Sequence, residues 1–175
     1  VVWAVKPQTF QEAASQAQAH TRGALHLSVA AGIPSQSIAR WLGSDRVVRA
    51  MPNTPALIGR GITAFFARPG VQAHDRQQVE QIVRSTGDFL WVDAEDKLDA
   101  VTALSGSGPA YVFYFMEAMM AAGADMGLSP AQARQLTLAT FTGASELARA
   151  SEEPPQTLRE RVTSKGGTTE AALRA

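Results

Sequence analysis

The sequence contains no cysteine, which excludes disulfide frameworks, thiolate metal sites and cysteine nucleophiles together. Charge of one sign is not in excess either. Sixteen Lys and Arg balance 16 Asp and Glu, so the chain has no electrostatic footprint for nucleic acid or anionic lipid. Long hydrophobic runs are also missing. The uncharged stretch from Ala100 to Met116 falls short of the roughly 20 apolar residues of a membrane span and carries Ser105-Gly106-Ser107-Gly108-Pro109 in its middle. It reads as buried protein interior. His20, His26 and His74 are scattered without metal-ligand spacing and read as structural or solvent-exposed, so no metal site is expected. No signal peptide is recognisable, which makes the cytoplasm the expected compartment.

What is present is an ordinary globular composition. With 45% hydrophobic and 18% charged residues, disorder and low-complexity scaffolds are excluded. A length of 175 residues allows one domain or two small ones. Val1-Val2-Trp3-Ala4-Val5, ended by Lys6-Pro7, is apolar on both faces, the pattern of a buried parallel strand. Such a strand needs neighbours on both sides, so a domain with further strands upstream is expected. Elements then alternate: a helical segment within Thr9 to Gly23, a strand over Ala24–Gly32, and a helix from Ser35 with Ile38, Trp41 and Leu42 inward. Strands follow at Arg46–Met51 and Gly61–Ala67, then a helix over Asp75–Ser85 with Val79, Ile82 and Val83 inward, and a last strand at Phe89–Val92. This alternation predicts a parallel α/β sheet over residues 1–94.

From about Glu95 no strand pattern remains, and residues 95–175 are expected to form an all-α domain. Asp96 to Met126 reads as one long helix interrupted around Gly106 to Pro109. Ser129-Pro130 with Gln132 opens a second through a capping box. A short helix over Thr157–Val162 and another beginning at Thr168-Thr169 complete the pattern. The two long helices are apolar nearly all round, with Tyr111, Val112, Phe113, Tyr114, Phe115, Met116, Met119 and Met120 on one and Leu136, Leu138, Phe141 and Leu147 on the other. Helices without a solvated face need a larger body to bury them. An intertwined homodimer is therefore expected, with a helical cap on the chain's own sheet as the alternative.

Two sets of residues have the character of a site. Ala4-Val5-Lys6-Pro7, Ser28-Val29-Ala30-Ala31-Gly32 and Met51-Pro52-Asn53-Thr54-Pro55 end three successive strands, the edge where open α/β sheets bind ligands. Their small side chains would let a flat ring approach the backbone, and Asn53 could hydrogen-bond an amide or ribose. Each also has a plain turn reading. In Thr163-Ser164-Lys165-Gly166-Gly167-Thr168-Thr169-Glu170, two glycines lead into a helix start, where unpaired N–H groups and the helix dipole suit a small anion. A simple turn with a threonine cap explains the same residues. Glu95, Asp96 and Asp99 read as first-turn acids.

Two segments together are more specific. Asp99-Ala100-Val101-Thr102-Ala103-Leu104-Ser105-Gly106-Ser107-Gly108-Pro109-Ala110-Tyr111 and Val162-Thr163-Ser164-Lys165-Gly166-Gly167-Thr168-Thr169-Glu170 closely resemble the pyrroline-5-carboxylate reductases. Ala4-Val5-Lys6-Pro7-Gln8 and Met51-Pro52-Asn53-Thr54-Pro55 match that family in order and distance. The resemblance implies a Rossmann-type domain, represented here without its N-terminal part, followed by a helical dimerisation domain. It implies NAD(P)H-dependent reduction of the cyclic imine Δ1-pyrroline-5-carboxylate to L-proline, the final step of proline biosynthesis. It further implies homodimers assembling into rings. The family's glycine-rich turn for the cofactor pyrophosphate has no counterpart in these residues.

By the same resemblance, Ala4, Val5, Lys6, Pro7, Val29, Ala30, Ala31 and Asn53 would line the nicotinamide and ribose of NADPH or NADH. Ser164, Gly167, Thr168 and Thr169 would hold the imino-acid substrate from the partner's helical domain, with Glu95 as an acid near it. Thr169 is the expected donor to the imine nitrogen. Its hydroxyl is too weak an acid to be the proton's source, so its role is orientation and relay. Competing readings are a related two-domain keto-acid or imino-acid reductase, and a non-catalytic oligomerisation module.

Overall fold

The computed structural model describes residues 1–174 and divides them into two compact units, Val1–Val112 and Phe113 onward. The first unit is built on a five-stranded sheet in the order β1-β2-β3-β4-β5: β1 Val2–Trp3, β2 His26–Ser28, β3 Val47–Met51, β4 Gly61–Ala67 and β5 Gly87–Trp91. Helices α1 (Pro7–Ala17), α2 (Ser35–Leu42) and α3 (Ala73–Val83) connect them, and α4 (Lys97–Val101) follows β5. Phe10 and Ala14 of α1 and Ile38 and Leu42 of α2 pack on Trp3 and Val47. Val79 and Val83 of α3 pack with Leu27, Val48 and Phe65. Burial of these aliphatic and aromatic groups stabilises the unit by about 1.5–3 kcal/mol per side chain.

Two expectations are corrected. The sheet is mixed, because β4 pairs antiparallel with β3 while β1-β2-β3 and β4-β5 are parallel. Only residues 52–60 join β3 to β4, and they form a 3₁₀ turn at Thr54–Ile58. That is too short for the crossover of a dozen or more residues that a parallel pair requires. Gly61 fits the return: a Cβ there would lie 2.7 Å from the Ala56 nitrogen. The second correction concerns α3, where Ile82 is 51% exposed. The helix buries one narrow stripe through Asp75, Val79 and Val83, and Ile82 falls outside it. In β1, Trp3 is buried while Val1 and Val2 are exposed. Among the described residues β1 is an edge strand.

Polar groups tie this unit together. Asp75 is fully buried and accepts from Arg46 Nη2 at 2.6 Å and from the Gln72 N–H at 3.0 Å. The Arg46 hydrogen bond is the main cause holding its carboxyl below the usual range, against the opposing effect of burial. Trp91 donates Nε1–H to Glu80 at 2.8 Å and stacks under Arg76.

After α4 the chain passes through a π-helical turn, Thr102–Gly106, into α5 (Gly108–Asp125), which runs across the unit boundary. The second unit continues with α6 (Pro130–Ala150), α7 (Pro155–Arg161) and α8 (Thr168–Arg174). The Ser129 capping box is formed: Ser129 Oγ accepts from the Gln132 N–H, and Gln132 reaches back to the Ser129 N–H. Helices α5 and α6 meet closely at Gly123, where a Cβ would stand 3.1 Å from that of Ala133. Tyr111, Phe113, Tyr114, Phe115, Leu136 and Leu147 are all exposed. No helix of the described residues is long and apolar enough to cross a membrane. They contain no group of three or more side chains suited to a metal ion.

Candidate functional site

The first set of predicted site residues lies together along one edge of the sheet. β1, β2 and β3 are parallel neighbours, so Ala4–Pro7, Val29–Ala31 and Asn53 follow the same ends of three adjacent strands. Lys6 has extended backbone and precedes Pro7 at the first position of α1. This is a proline-initiated helix start that turns the chain sharply off the strand. Between β2 and α2, the Ser28 hydroxyl accepts from the Ala30 N–H at 3.2 Å and Ala30 is buried. The loop therefore presents mostly backbone at this edge.

Asn53 is a bracing group as well as a candidate ligand. Its Oδ1 accepts from the Ile62 N–H at 3.0 Å and its Nδ2 donates to Ser105 Oγ at 3.2 Å. Ser105 was not among the residues singled out by the sequence as site residues. The signal for it lay in the Ser-Gly-Ser-Gly-Pro interruption, which the structure resolves into the π turn.

Glu95 also belongs to the sheet unit. Its Oε1 accepts from the Ser35 N–H and from Arg49 Nη1, and its Oε2 from Ser35 Oγ, each at 2.6 Å. Burial opposes the charged form, but these hydrogen bonds outweigh it and hold the carboxyl below its ordinary value. Both oxygens are thus engaged in capping α2 and pairing the buried Arg49. A cavity of about 220 Å³ lies beside this pair, lined by Gly32, Pro34, Arg49, Glu95, Asp96 and Asp99. Lys97 is exposed and pairs with Asp93 at 2.5 Å.

The second set is confined to the other unit. Ser164, Gly167, Thr168 and Thr169 form a single turn leading into α8. Gly166 has φ +73°, the left-handed conformation that glycine adopts without strain. The Gly167 N–H closes the turn on the Ser164 carbonyl at 3.0 Å. Glu170 reaches back to the Gly166 N–H and also accepts from Arg174 at 2.5 Å, much as a capping box does. The first-turn N–H groups of α8, which have no acceptor within the helix, remain beside the hydroxyls of Ser164, Thr168 and Thr169. Alongside, α6 and α7 enclose an apolar groove of about 360 Å³ lined by residues such as Leu147, Pro155, Leu158 and Val162.

Residues 95–175 match the family described as pyrroline-5-carboxylate reductase dimerisation. The chain is 48% identical to the pyrroline-5-carboxylate reductase of Pseudomonas aeruginosa over all its length, and 41% identical to that of Haemophilus influenzae over 99% of it. It spans 65% of each of those proteins. Among solved structures, the pyrroline-5-carboxylate reductase of Coxiella burnetii superposes with a TM-score of 0.92 at 40% identity, covering 99% of this chain and 66% of the other. The Plasmodium falciparum pyrroline carboxylate reductase, solved with NADP bound, superposes with a TM-score of 0.91 at 33% identity, covering 99% of this chain and 70% of the other. The chain belongs to the pyrroline-5-carboxylate reductase family.

Proposed function

We propose that this chain carries the nicotinamide edge, the substrate-carboxylate turn and the dimer-forming helices of an enzyme that reduces Δ1-pyrroline-5-carboxylate to L-proline with NADPH or NADH. The observation carrying the reading is the alignment of Ala4–Pro7, Val29–Ala31 and Asn53 on the ends of three adjacent parallel strands. Open sheets of this kind bind dinucleotides at that edge. The buried Ala30 and the backbone-rich loop fit the flat nicotinamide end of a dinucleotide. When bound, the nicotinamide supplies a hydride to the imine carbon while the nitrogen gains a proton.

The chain's own residues do the rest. Ser164, Thr168 and the first N–H groups of α8 bind the substrate carboxylate, since an anion is favoured at the positive end of a helix. With Gly167 shaping the turn, this fixes the ring, and orientation of that kind lowers a reaction barrier substantially. Thr169 donates its hydroxyl to the imine nitrogen and relays the proton, which comes from solvent or is already on the substrate. Glu95 acts at one remove: through Ser35 and Arg49 it anchors the start of α2, next to the loop carrying Val29–Ala31. The exposed apolar faces of α5 and α6 associate with a second copy, and rings of such dimers and a cytoplasmic location belong to the same reading.

The test is NADPH consumption with pyrroline-5-carboxylate by the product of the complete gene. Turnover supports the reading, and a folded, inactive protein overturns it. Thr169→Ala in the active protein is expected to lower kcat about 10- to 100-fold with the oligomer intact. Unchanged kcat removes that assignment.

A further inference from the structure

The π turn at Thr102–Gly106 has a local purpose in this fold. The Ser107 N–H reaches the Thr102 carbonyl at 2.8 Å, a bond over five residues in place of the usual four. Such turns insert one residue into a helix and occur mostly where function needs them. One inserted residue rotates the downstream helix by about 100° relative to a regular α-helix. Here it brings Ser105 Oγ onto Asn53 Nδ2 at 3.2 Å. Gly106 seats the turn against the end of β3, with Met51 Sδ 3.7 Å from where a Cβ would stand.

The hydrogen-bonding capacity of Asn53 shows what this contact decides. A carboxamide offers two N–H donors and one acceptor oxygen. The oxygen is held by the Ile62 N–H and one donor by Ser105. These two contacts fix which end of the amide is which and leave a single Nδ2–H for any other partner. Ile62 alone would hold the oxygen and leave the tilt of the amide plane free.

We propose that Ser105 is a positioning residue for dinucleotide binding, holding the Asn53 carboxamide from the π turn so that its second Nδ2–H is kept for the bound nicotinamide nucleotide. The inference rests on the reading above, which places Asn53 beside that nucleotide. It adds a residue that touches neither cofactor nor substrate.

The experiment measures NADPH affinity by calorimetry, without turnover, in the product of the complete gene. Ser105→Ala is expected to raise the NADPH Kd about tenfold, the scale of one lost hydrogen bond. Ser105→Thr restores the hydroxyl and should return Kd to within about twofold of the original. Because the effect passes through Asn53, Ser105→Ala should cost nothing further in an Asn53→Ala background. An unchanged Kd, failure of threonine to rescue, or additive losses in the double variant each overturn the proposal. If Ser105→Ala does not fold, Asn53→Asp carries the test, since it keeps the shape and removes the Nδ2 donors. It should weaken NADPH about tenfold or more, and unaltered binding refutes the role. Binding of NADPH without reduction of the imine sinks the substrate reading and leaves the Kd series to decide this one. No binding at all overturns both.

Discussion

The two units handle their largest side chains in opposite ways. In the sheet unit Phe10 and Phe65 are fully buried, and charged groups such as Asp75 and Glu95 are tied to arginines inside the same unit. In the helical unit Phe113 and Phe115 are 55% and 65% exposed, and the described buried positions on its two long helices are Gly123, Ala133 and Thr137. The first unit derives its stability from its own contacts. The second exposes large apolar side chains, which fits the self-association proposed for it.

The sharpest way to break this contrast is to charge the exposed face. Phe113→Glu with Phe115→Glu, which charges α5 on two sides, should abolish the proposed self-association, weakening it at least about a thousandfold, because carboxylates would have to be buried without partners. Sedimentation should then show single chains whose helical content is largely kept. Persistence of the native mass would remove the assignment of this face to an interface. The matching change in the sheet unit is Phe65→Ala, which opens a cavity next to Phe89 and Trp91, whose rings lie 6.1 and 4.9 Å away. It should cost about 3–5 kcal/mol in denaturant unfolding while folded molecules keep the native mass. A loss below about 1 kcal/mol would mean that the sheet core is not self-sufficient.

A third change probes an unsatisfied polar point inside the sheet core. Trp3 donates Nε1–H to His26 Nδ1 at 3.1 Å, so that nitrogen must be an acceptor and the ring is neutral with its hydrogen on Nε2. Among the described residues that Nε2 is buried without a partner. Burial first, with the charge of Arg46 adding to it, pushes the His26 pKa down from 6.5 to about 4. As pH falls, the unfolded chain takes up a proton near 6.5 and the folded chain only near 4. The stability contributed by the neutral ring is therefore complete above 6.5 and lost progressively between 6.5 and about 4. The loss amounts to about 3 kcal/mol. His26→Leu should flatten that part of the pH–stability curve, although it leaves the Trp3 donor unpaired at every pH. A variant as acid-sensitive as the parent would show that another group is responsible.

Much of this organisation could be read from the sequence wherever one local signal decided the outcome. Pro130 sits in the first turn of a helix, and Ser129 with Gln132 specified a capping box that formed. Gly61 to Ala67 is a strand with those bounds. The antiparallel direction of β4 was carried by the short connection over residues 52–60 rather than by apolar periodicity, which is the same in both cases. What was not readable depended on partners distant in the chain. Glu95 had the appearance of a first-turn acid, and only folding shows its oxygens on Ser35 and Arg49, 60 and 46 residues away. Likewise, Ser105 was visible as part of a helix interruption, but its bond to Asn53 requires the π turn to form.

The smallest effect tests the boundary between the two behaviours within one helix. Val79, Ile82 and Val83 of α3 have the same apolar character, yet Val79 and Val83 are buried and Ile82 is half exposed. Val79 and Val83, four residues apart, share a stripe facing β3 and β4. Ile82 is three residues from Val79 but on the far flank of that stripe, beyond the width the sheet covers. Ile82→Ser is therefore expected to change unfolding free energy by no more than about 0.5 kcal/mol, the range for surface substitutions. Val79→Ser, which removes apolar volume and buries a hydroxyl, should cost about 2 kcal/mol or more in the same measurement. Equal losses at the two positions would mean that α3 buries a wider face than its packing on this sheet provides, and that Ile82 is covered by something beyond it.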